Sequence, residues 1–585
     1  MSESLDRTRK PNFLMIMVDQ ERYPVVYETQ ELKQWRKKYL KAYELLKSRG
    51  LEFKNHYAGS TACVPSRATI YTGQYPSLHG VSQTDGVAKS AYDPDMFWLD
   101  PHTVPTIGDY FRTAGYQTYW KGKWHASLAD ITVPGTHDAF LSYNPNNGVP
   151  VPKNERLYVE ANNLGDYGFD GWVGPEPHGS NPRNSGSSAA TGVSGRDVVY
   201  KQQTVELIKH LDQMHRSNPE AEQKPWFIMC SFVNPHDIAI FGAASQRSDQ
   251  FSFKVDPSVP HIPPAPTAHE SLATKPSAQS SYRRIYPLAL QPLVDTLFYR
   301  QLYYNLQLEV DRQVHAVLNA LMQSSFYENT IVIFTSDHGE LLGAHGGLFQ
   351  KWYQAYEEAI HVPLIIHNPV LFPKPRTTDT LTSHVDLLPT LLGLAGLDTD
   401  KLQKILKKDH TEVHPLVGRD LSPLVLGQNC PQVDGPIYFM TDDNVTQGLN
   451  QVSIAGIPYP AVGQPISIET VITPLPTGKG GTDEVWKYSR YFKNPQFENI
   501  PGRGDQFGYR GQRVRMTFNP GCRPDEQQCR PVPDEFEMYN LTRNPLETQN
   551  LASSPFRTPI TIKIQAILHQ ILEEQRAEKR LYPTN

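Results

Sequence analysis

Apolar residues in this chain fall into short unbroken runs, separated by longer stretches in which they recur with helical spacing. Phe13-Leu14-Met15-Ile16-Met17-Val18 is continuous and stops at Asp19. Such a run reads as a strand buried on both faces of a parallel sheet. A helix is expected from about Leu32 to Arg49, with Gly50 as its cap. Val104 to Ala114 predicts another helix and Tyr116 to Tyr119 a short strand. Asp197 to Met214 reads as helix and Trp226 to Phe232 as strand. Tyr303 to Met322 carries Leu306, Val310, Val314, Val317 and Leu321 on one face, and the strand Ile331 to Phe334 follows it. Helix and buried strand in alternation predict an α/β domain, its sheet covered on both faces.

Residues 142–194 are rich in Gly, Asn and Pro, and 242–283 in Ser, Pro and Gln. Both are expected to be lids or binding loops, since unstructured loops of that length are uncommon inside a compact domain. A boundary is expected near Leu426 to Gly435, dividing the chain into 1–430 and 431–585. Beyond it, Val485 to Phe492 and Arg513 to Phe518 read as strands and Ile560 to Arg576 as a helix. That order predicts a smaller antiparallel sheet with a packed helix. No internal repeat is visible.

Length supports the two-part reading, because 585 residues exceed what one core holds. A net charge of -5 gives no reason to expect nucleic acid or an anionic membrane as partner. The five cysteines, Cys63, Cys230, Cys430, Cys522 and Cys529, are too sparse for a disulfide framework, though the last two could pair locally. The first apolar run is too short for a signal-peptide core, and nothing later approaches a membrane span. The chain as written reads as cytoplasmic.

The candidate chemistry begins at Cys63-Val64-Pro65-Ser66-Arg67, a pattern with a chance occurrence of roughly one in a thousand for such a chain. A proline there fits the first turn of a helix, whose unpaired N–H groups favour an anion. Asp19 ends the first strand, and Asp337-His338 follows the strand Ile331 to Phe334. Residues at the carboxyl ends of parallel strands converge in open α/β sheets. An acidic residue in that position also serves as a plain helix cap.

Together with Gly115-Tyr116-Gln117-Thr118-Tyr119-Trp120-Lys121-Gly122-Lys123-Trp124-His125, the cysteine motif resembles the two signatures of the sulfatase family. The resemblance implies an alkaline-phosphatase-like fold, and it implies conversion of Cys63 to formylglycine by a maturing, formylglycine-generating enzyme. It further implies one divalent metal held by Asp19, Gln20, Asp337, His338 and the modified Cys63. Gln20 departs from the commoner second aspartate but still offers a carbonyl oxygen to a hard cation. Calcium is the first expectation, then manganese or magnesium. Arg67 would hold the modified residue, and Lys123 would stabilise the sulfuryl oxygens while His125 assists turnover. His236, in Asn234-Pro235-His236, and Lys351 would act on the leaving oxygen. His384 to Leu392 resembles a structural helix of the family, and Met538-Tyr539-Asn540-Leu541 its C-terminal motif, so the likeness runs from Pro11 to about Ala552.

The implied reaction is hydrolysis of a small-molecule aryl or alkyl sulfate ester, arylsulfatase-like. The nearest alternative is a phosphonate monoester or phosphodiester hydrolase of the same superfamily, which shares the Asp-Gln and Asp-His pattern. Lys123 and His125 speak against it, because those relatives carry uncharged hydroxyl residues there. The alcohol half is not readable, although aromatic residues in Asp95 to Pro101 and Asp166 to Trp172 hint at an apolar pocket. Assembly into a homo-oligomer is left open.

Overall fold

The computed structural model describes residues 10–177, 182–186, 190–218, 224–428, 435–449, 451–497, 506–507, 513–514 and 532–584. Seven strands form the main sheet: β1 (Asn12–Asp19), β2 (Gly50–Tyr57), β3 (Gln117–Gly122), β4 (Trp226–Pro235), β5 (Thr330–Ser336), β6 (Leu364–His367) and β7 (Arg376–Ser383). Their spatial order is β3-β4-β1-β5-β6-β2-β7. All neighbours pair in parallel except β6, which opposes both β5 and β2. The first run of the chain lies at the heart of this sheet. Phe13, Met15 and Met17 enter one core, and Leu14, Ile16 and Val18 enter the other. That is the two-residue period of a strand covered on both faces.

Helices supply the two covers. The first core takes Val64, Ala68 and Ile70 from the helix Cys63–Thr72, and Leu387 to Leu392 from the helix Leu387–Leu394. The second takes Leu306, Val310, Val314, Val317 and Leu321 from the helix Leu297–Met322, the stripe its spacing predicts.

The remaining strands are β8 (Ile437–Thr441), β9 (Ser467–Leu475), β10 (Glu484–Phe492), β11 (Gln506–Phe507), β12 (Arg513–Val514) and β13 (Glu535–Asn540). β13-β10-β9-β8 make a four-stranded antiparallel sheet, on which the helix Pro559–Lys579 packs through Ile564, Leu568 and Leu572. The expected strand Arg513 to Phe518 pairs only at its start with β11, and 515–518 lie outside the described residues, as do Cys430, Cys522 and Cys529. No helix of the described residues is long and apolar enough to cross a membrane.

Several elements differ from expectation for identifiable reasons. The stretch Leu32 to Arg49 is two helices, Gln30–Tyr39 and Lys41–Ser48, broken at Leu40. The Asp311 carboxylate accepts from the Ala42 and Tyr43 N–H groups at 3.1 Å each and so starts the second helix in place of the first helix's ladder. Gly50 opens β2 rather than capping a helix, and a Cβ there would lie 2.4 Å from the Leu46 carbonyl oxygen. The helix Pro152–Ala161 sits inside the first long loop, and the helix Ser277–Ala289 starts within the second and runs past its end.

Candidate active site

Four adjacent parallel strands end at the site. β1 ends on Asp19, β5 is followed by Asp337 and His338, β3 by Lys123, and β4 by His236. Val18 pairs with Ser336, which sets the two aspartates side by side. Cys63 begins its helix six residues after β2 and points into the same place. Ligand atoms of Asp19, Cys63, Asp337 and His338 all lie within 4.8 Å of one another, and every one of these residues is buried.

The two carboxylates each divide their oxygens between two tasks. Asp19 Oδ2 accepts from Lys123 Nζ (2.6 Å) and Arg67 Nη2 (2.9 Å), while Oδ1 faces Cys63 Sγ (3.8 Å) and His338 Nε2 (3.8 Å). Asp337 Oδ2 accepts from Arg67 Nε at 2.9 Å, and Oδ1 from the Gln20 and His338 N–H groups. Arg67 therefore bridges both carboxylates with its fork and also donates to Ser231 Oγ at 3.0 Å. His338 Nδ1 lies 2.9 Å from the Gly339 carbonyl oxygen, which assigns the proton to Nδ1 and leaves the Nε2 lone pair facing Cys63 Sγ at 3.1 Å.

Burial acts on every group here, and the charges decide which way each moves. Burial alone would raise the Asp19 carboxyl, but Lys123, His236 and Arg67 outweigh it and hold it well below the carboxylate range. Asp337 is pushed up to about 7, by burial first and then by the Asp19 charge. Burial, with Lys123 beside it, holds His236 well below the usual imidazole range. The Cys63 thiol is pushed up to about 12, chiefly by burial and next by Asp19.

Lys351 Nζ donates to Gln20 Oε1 at 2.8 Å. The Gln20 amide nitrogen donates to Glu340, and that contact turns its oxygen toward Lys351. Gln20, Gln350 and His125 all have left-handed backbones, at φ 71°, 65° and 53°, an uncommon state for such residues that clusters at functional sites. His125 is placed differently from the rest of the set. Its Nε2 lies 2.6 Å from Asp85 Oδ1, and Glu176 accepts its backbone N–H at 2.8 Å.

Sequence reasoning missed Glu340, Ser231, Asp85, Glu176 and Asp443. Glu340 alone had a local signal, an acid two residues after the Asp337-His338 pair and again buried. His384, expected in a structural helix, also reaches the site: its ring lies 3.0 Å from the Ser336 carbonyl and 3.3 Å from Ser66 Oγ. Of the two aromatic stretches, Trp98 borders open space, whereas Phe169 and Trp172 pack in the first core.

The donor set fits a hard divalent cation. Two carboxylates, one imidazole nitrogen and the Cys63 sulfur converge, held by Arg67, Lys123 and Gly339, and Gln20 joins them through its backbone N–H on Asp337. Arg67 and Lys123 both donate to the Asp19 carboxylate, and Lys351 donates to the Gln20 amide, whose nitrogen holds the Glu340 carboxylate. Fold and site together define a hydrolase of the alkaline-phosphatase-like architecture. Residues 11–397 match the family model described as Sulfatase, and the chain belongs to the sulfatase family. It is 28% identical over 403 residues to the uncharacterized sulfatase YidJ of Escherichia coli, covering 67% of this chain and 69% of that one. Among solved structures it resembles a 2-O GAG sulfatase (TM-score 0.59, 20% identity, 98% and 94% of the two chains). It also resembles the phosphonate monoester hydrolase of Agrobacterium radiobacter (TM-score 0.56, 18% identity, 98% and 96%).

Proposed function

We propose that this protein hydrolyses a small-molecule sulfate ester, an aryl or alkyl sulfate, at position 63. The observation that carries the reading is the placing of Cys63 at a helix N-terminus, between Asp19 and His338, with Arg67 and Lys123 on the adjoining carboxylate. A divalent ion, calcium first and manganese or magnesium next, would be held by Asp19, Gln20, Asp337 and His338, and would add positive charge where the sulfuryl oxygens lie. Formylglycine at position 63, made by a maturing enzyme, would supply an aldehyde hydrate with two hydroxyls on one carbon, one to take the sulfuryl group and one to release it.

The chain's own residues prepare the rest. Arg67 fixes both carboxylates, so the site is organised before substrate arrives. Lys123 and Lys351 offer ammonium groups to the sulfuryl and leaving oxygens. His236, held neutral by burial and Lys123, can take up a proton and return it to the departing alkoxide. His125, gripped by Asp85, is fit to hold a proton.

Peptide mass spectrometry of active protein tests the reading directly. The expected result is the aldehyde or its hydrate at position 63. Active enzyme with only an intact Cys63 thiol would reject it.

A further inference from the structure

The four side chains that converge at the centre offer two kinds of donor atom. Asp19 and Asp337 present carboxylate oxygens, which suit a hard cation, while Cys63 and His338 present sulfur and nitrogen, which suit a softer one. The formylglycine reading calls only on oxygen at position 63. As encoded, that residue is a cysteine, buried with its sulfur against the His338 ring. A folded chain that escapes maturation therefore keeps a donor set that contains sulfur.

The spacing of these atoms fits one small ion. His338 Nε2, its lone pair free because Nδ1 carries the proton, lies 3.1 Å from Cys63 Sγ, 3.8 Å from Asp19 Oδ1 and 3.7 Å from Asp337 Oδ1. Cys63 Sγ lies 3.8 Å from Asp19 Oδ1. Bonds of about 2.3 Å to sulfur and 2.0–2.2 Å to nitrogen and oxygen give a tetrahedral zinc site edges of about 3.3–3.6 Å. The separations here bracket that range, so closing on zinc takes shifts of about half an ångström or less. Calcium asks for about six to eight oxygens. The outer oxygens of the two aspartates are taken by Lys123 and Arg67, and Gln20 Oε1 accepts from Lys351. Each aspartate thus gives the ion one oxygen, and a larger oxygen shell has to be completed by water or by the modified residue.

We propose that the unmodified protein binds zinc, with one ion held by Cys63, His338, Asp19 and Asp337. Coordination takes Cys63 as the thiolate, its proton passing to the buffer. Arg67 and Lys123 keep the inner oxygens aimed at the ion by holding the outer ones. The contrast with the mature enzyme rests on the formylglycine reading above: modification removes the sulfur, so the state of position 63 sets the metal as well as the nucleophile.

The test uses full-length protein made without a maturing enzyme, its Cys63 thiol verified by mass spectrometry. Loaded with Co²⁺ alone as a spectroscopic stand-in, it should show a near-ultraviolet sulfur-to-cobalt charge-transfer band, which Zn²⁺ should abolish at one ion per chain. Another described group able to hold a metal, His345, Glu358 and Glu547, contains no sulfur and cannot give that band. Cys63→Ser places oxygen where the sulfur was. It should lack the band and bind zinc more weakly by upward of about 100-fold, more than the loss of an outer-shell partner costs. His338→Gln keeps Cys63 but removes the nitrogen, and should lose zinc affinity by a similar factor. Absence of the band from the cobalt-loaded thiol protein, its persistence in Cys63→Ser, or unchanged zinc affinity in both variants overturns the proposal. Each of those results leaves the formylglycine reading standing, because that reading is tested on active, matured protein. An intact thiol in active protein would overturn the formylglycine reading and leave the zinc site in place.

Discussion

Asp443 accepts a hydrogen bond from the Ala62 N–H at 3.3 Å, so a residue just beyond β8 holds the chain immediately before Cys63 across 381 positions. The same carboxylate accepts from Trp352 Nε1 (2.9 Å) and the Thr84 N–H (3.1 Å). It ties together the segments that carry Cys63, Lys351 and Asp85. Thr441 donates to the Thr61 carbonyl at 2.5 Å, beside the same joint. The second sheet is thus part of the active-site wall and not only an appended module.

Asp443→Ala leaves these buried donors without an acceptor, at about 1–3 kcal/mol each. We expect a fall in stability of about 3 kcal/mol or more, with kcat reduced more than KM is changed. Asp443→Asn keeps one acceptor oxygen and should lie between. Thermal unfolding together with steady-state kinetics checks both, and a wild-type Tm and kcat in Asp443→Ala would remove the carboxylate from this role.

Metal content separates ligand from support. Asp337→Ala removes a ligand oxygen and strands Arg67 Nε, so bound metal and activity should both nearly vanish. Glu340→Ala removes no ligand but frees the Gln20 amide to rotate. It should weaken metal affinity about 10–100-fold, the range found for outer-shell partners. Elemental analysis after dialysis against a weak chelator reads both. Full occupancy in Asp337→Ala would mean that the ligand set is misassigned.

The parts legible in the sequence were those with local patterns. β1 and β5 are apolar runs without alternation because both faces are covered, and the acids that stop them are therefore conspicuous. β2 and β7 escaped notice for the opposite reason. β2 mixes Leu51 and Phe53 with Glu52 and Lys54, and β7, at the sheet edge, reads Arg-Thr-Thr-Asp-Thr-Leu-Thr-Ser with its first half largely solvent-facing. In the site, Cys63, Arg67 and Lys123 could be named from motifs. Asp85 against His125 and Glu340 against Gln20 could not, since a supporting contact between positions 40 or 320 residues apart has no local pattern.

A buried network outside the catalytic centre sets a pH dependence of stability. Burial would lower the His345 imidazole, but Glu358 and Glu270 outweigh it and raise the value from 6.5 to about 9. Glu358 in turn goes from 4.5 to about 2, burial being overcome by His345. The raised histidine contributes stability in full below pH 6.5 and loses it as pH rises through about 9. The depressed carboxyl contributes in full above pH 4.5 and loses it as pH falls through about 2. The pair is therefore strongest between about pH 4.5 and 6.5, and the alkaline loss is about 3 kcal/mol from the histidine. Wild-type Tm should fall more between pH 6.5 and 9.5 than that of His345→Gln. Parallel curves would show that His345 is not the titrating group.

Lys123 decides between sulfur and phosphorus chemistry. Its ammonium lies 2.6 Å from Asp19 Oδ2 and is itself buried, so it is fixed in direction rather than free to follow solvent. Burial would lower its pKa, but Asp19 raises it further than burial lowers it, which keeps the charge in place. A singly charged sulfate ester has three terminal oxygens, more than one metal ion contacts, and Lys123 is the adjacent cation to stabilise the remainder. Deletion of one such preorganised donor elsewhere costs about 3–4 kcal/mol. Lys123→Ala should accordingly lower kcat on an aryl sulfate by roughly two to three orders of magnitude. Wild-type kcat/KM should also favour that sulfate over the phenylphosphonate monoester with the same leaving phenol. One leaving group in both esters prevents phenol acidity from mimicking specificity. A strong preference for the phosphonate, with Lys123→Ala nearly silent, would instead assign the site to phosphonate ester hydrolysis.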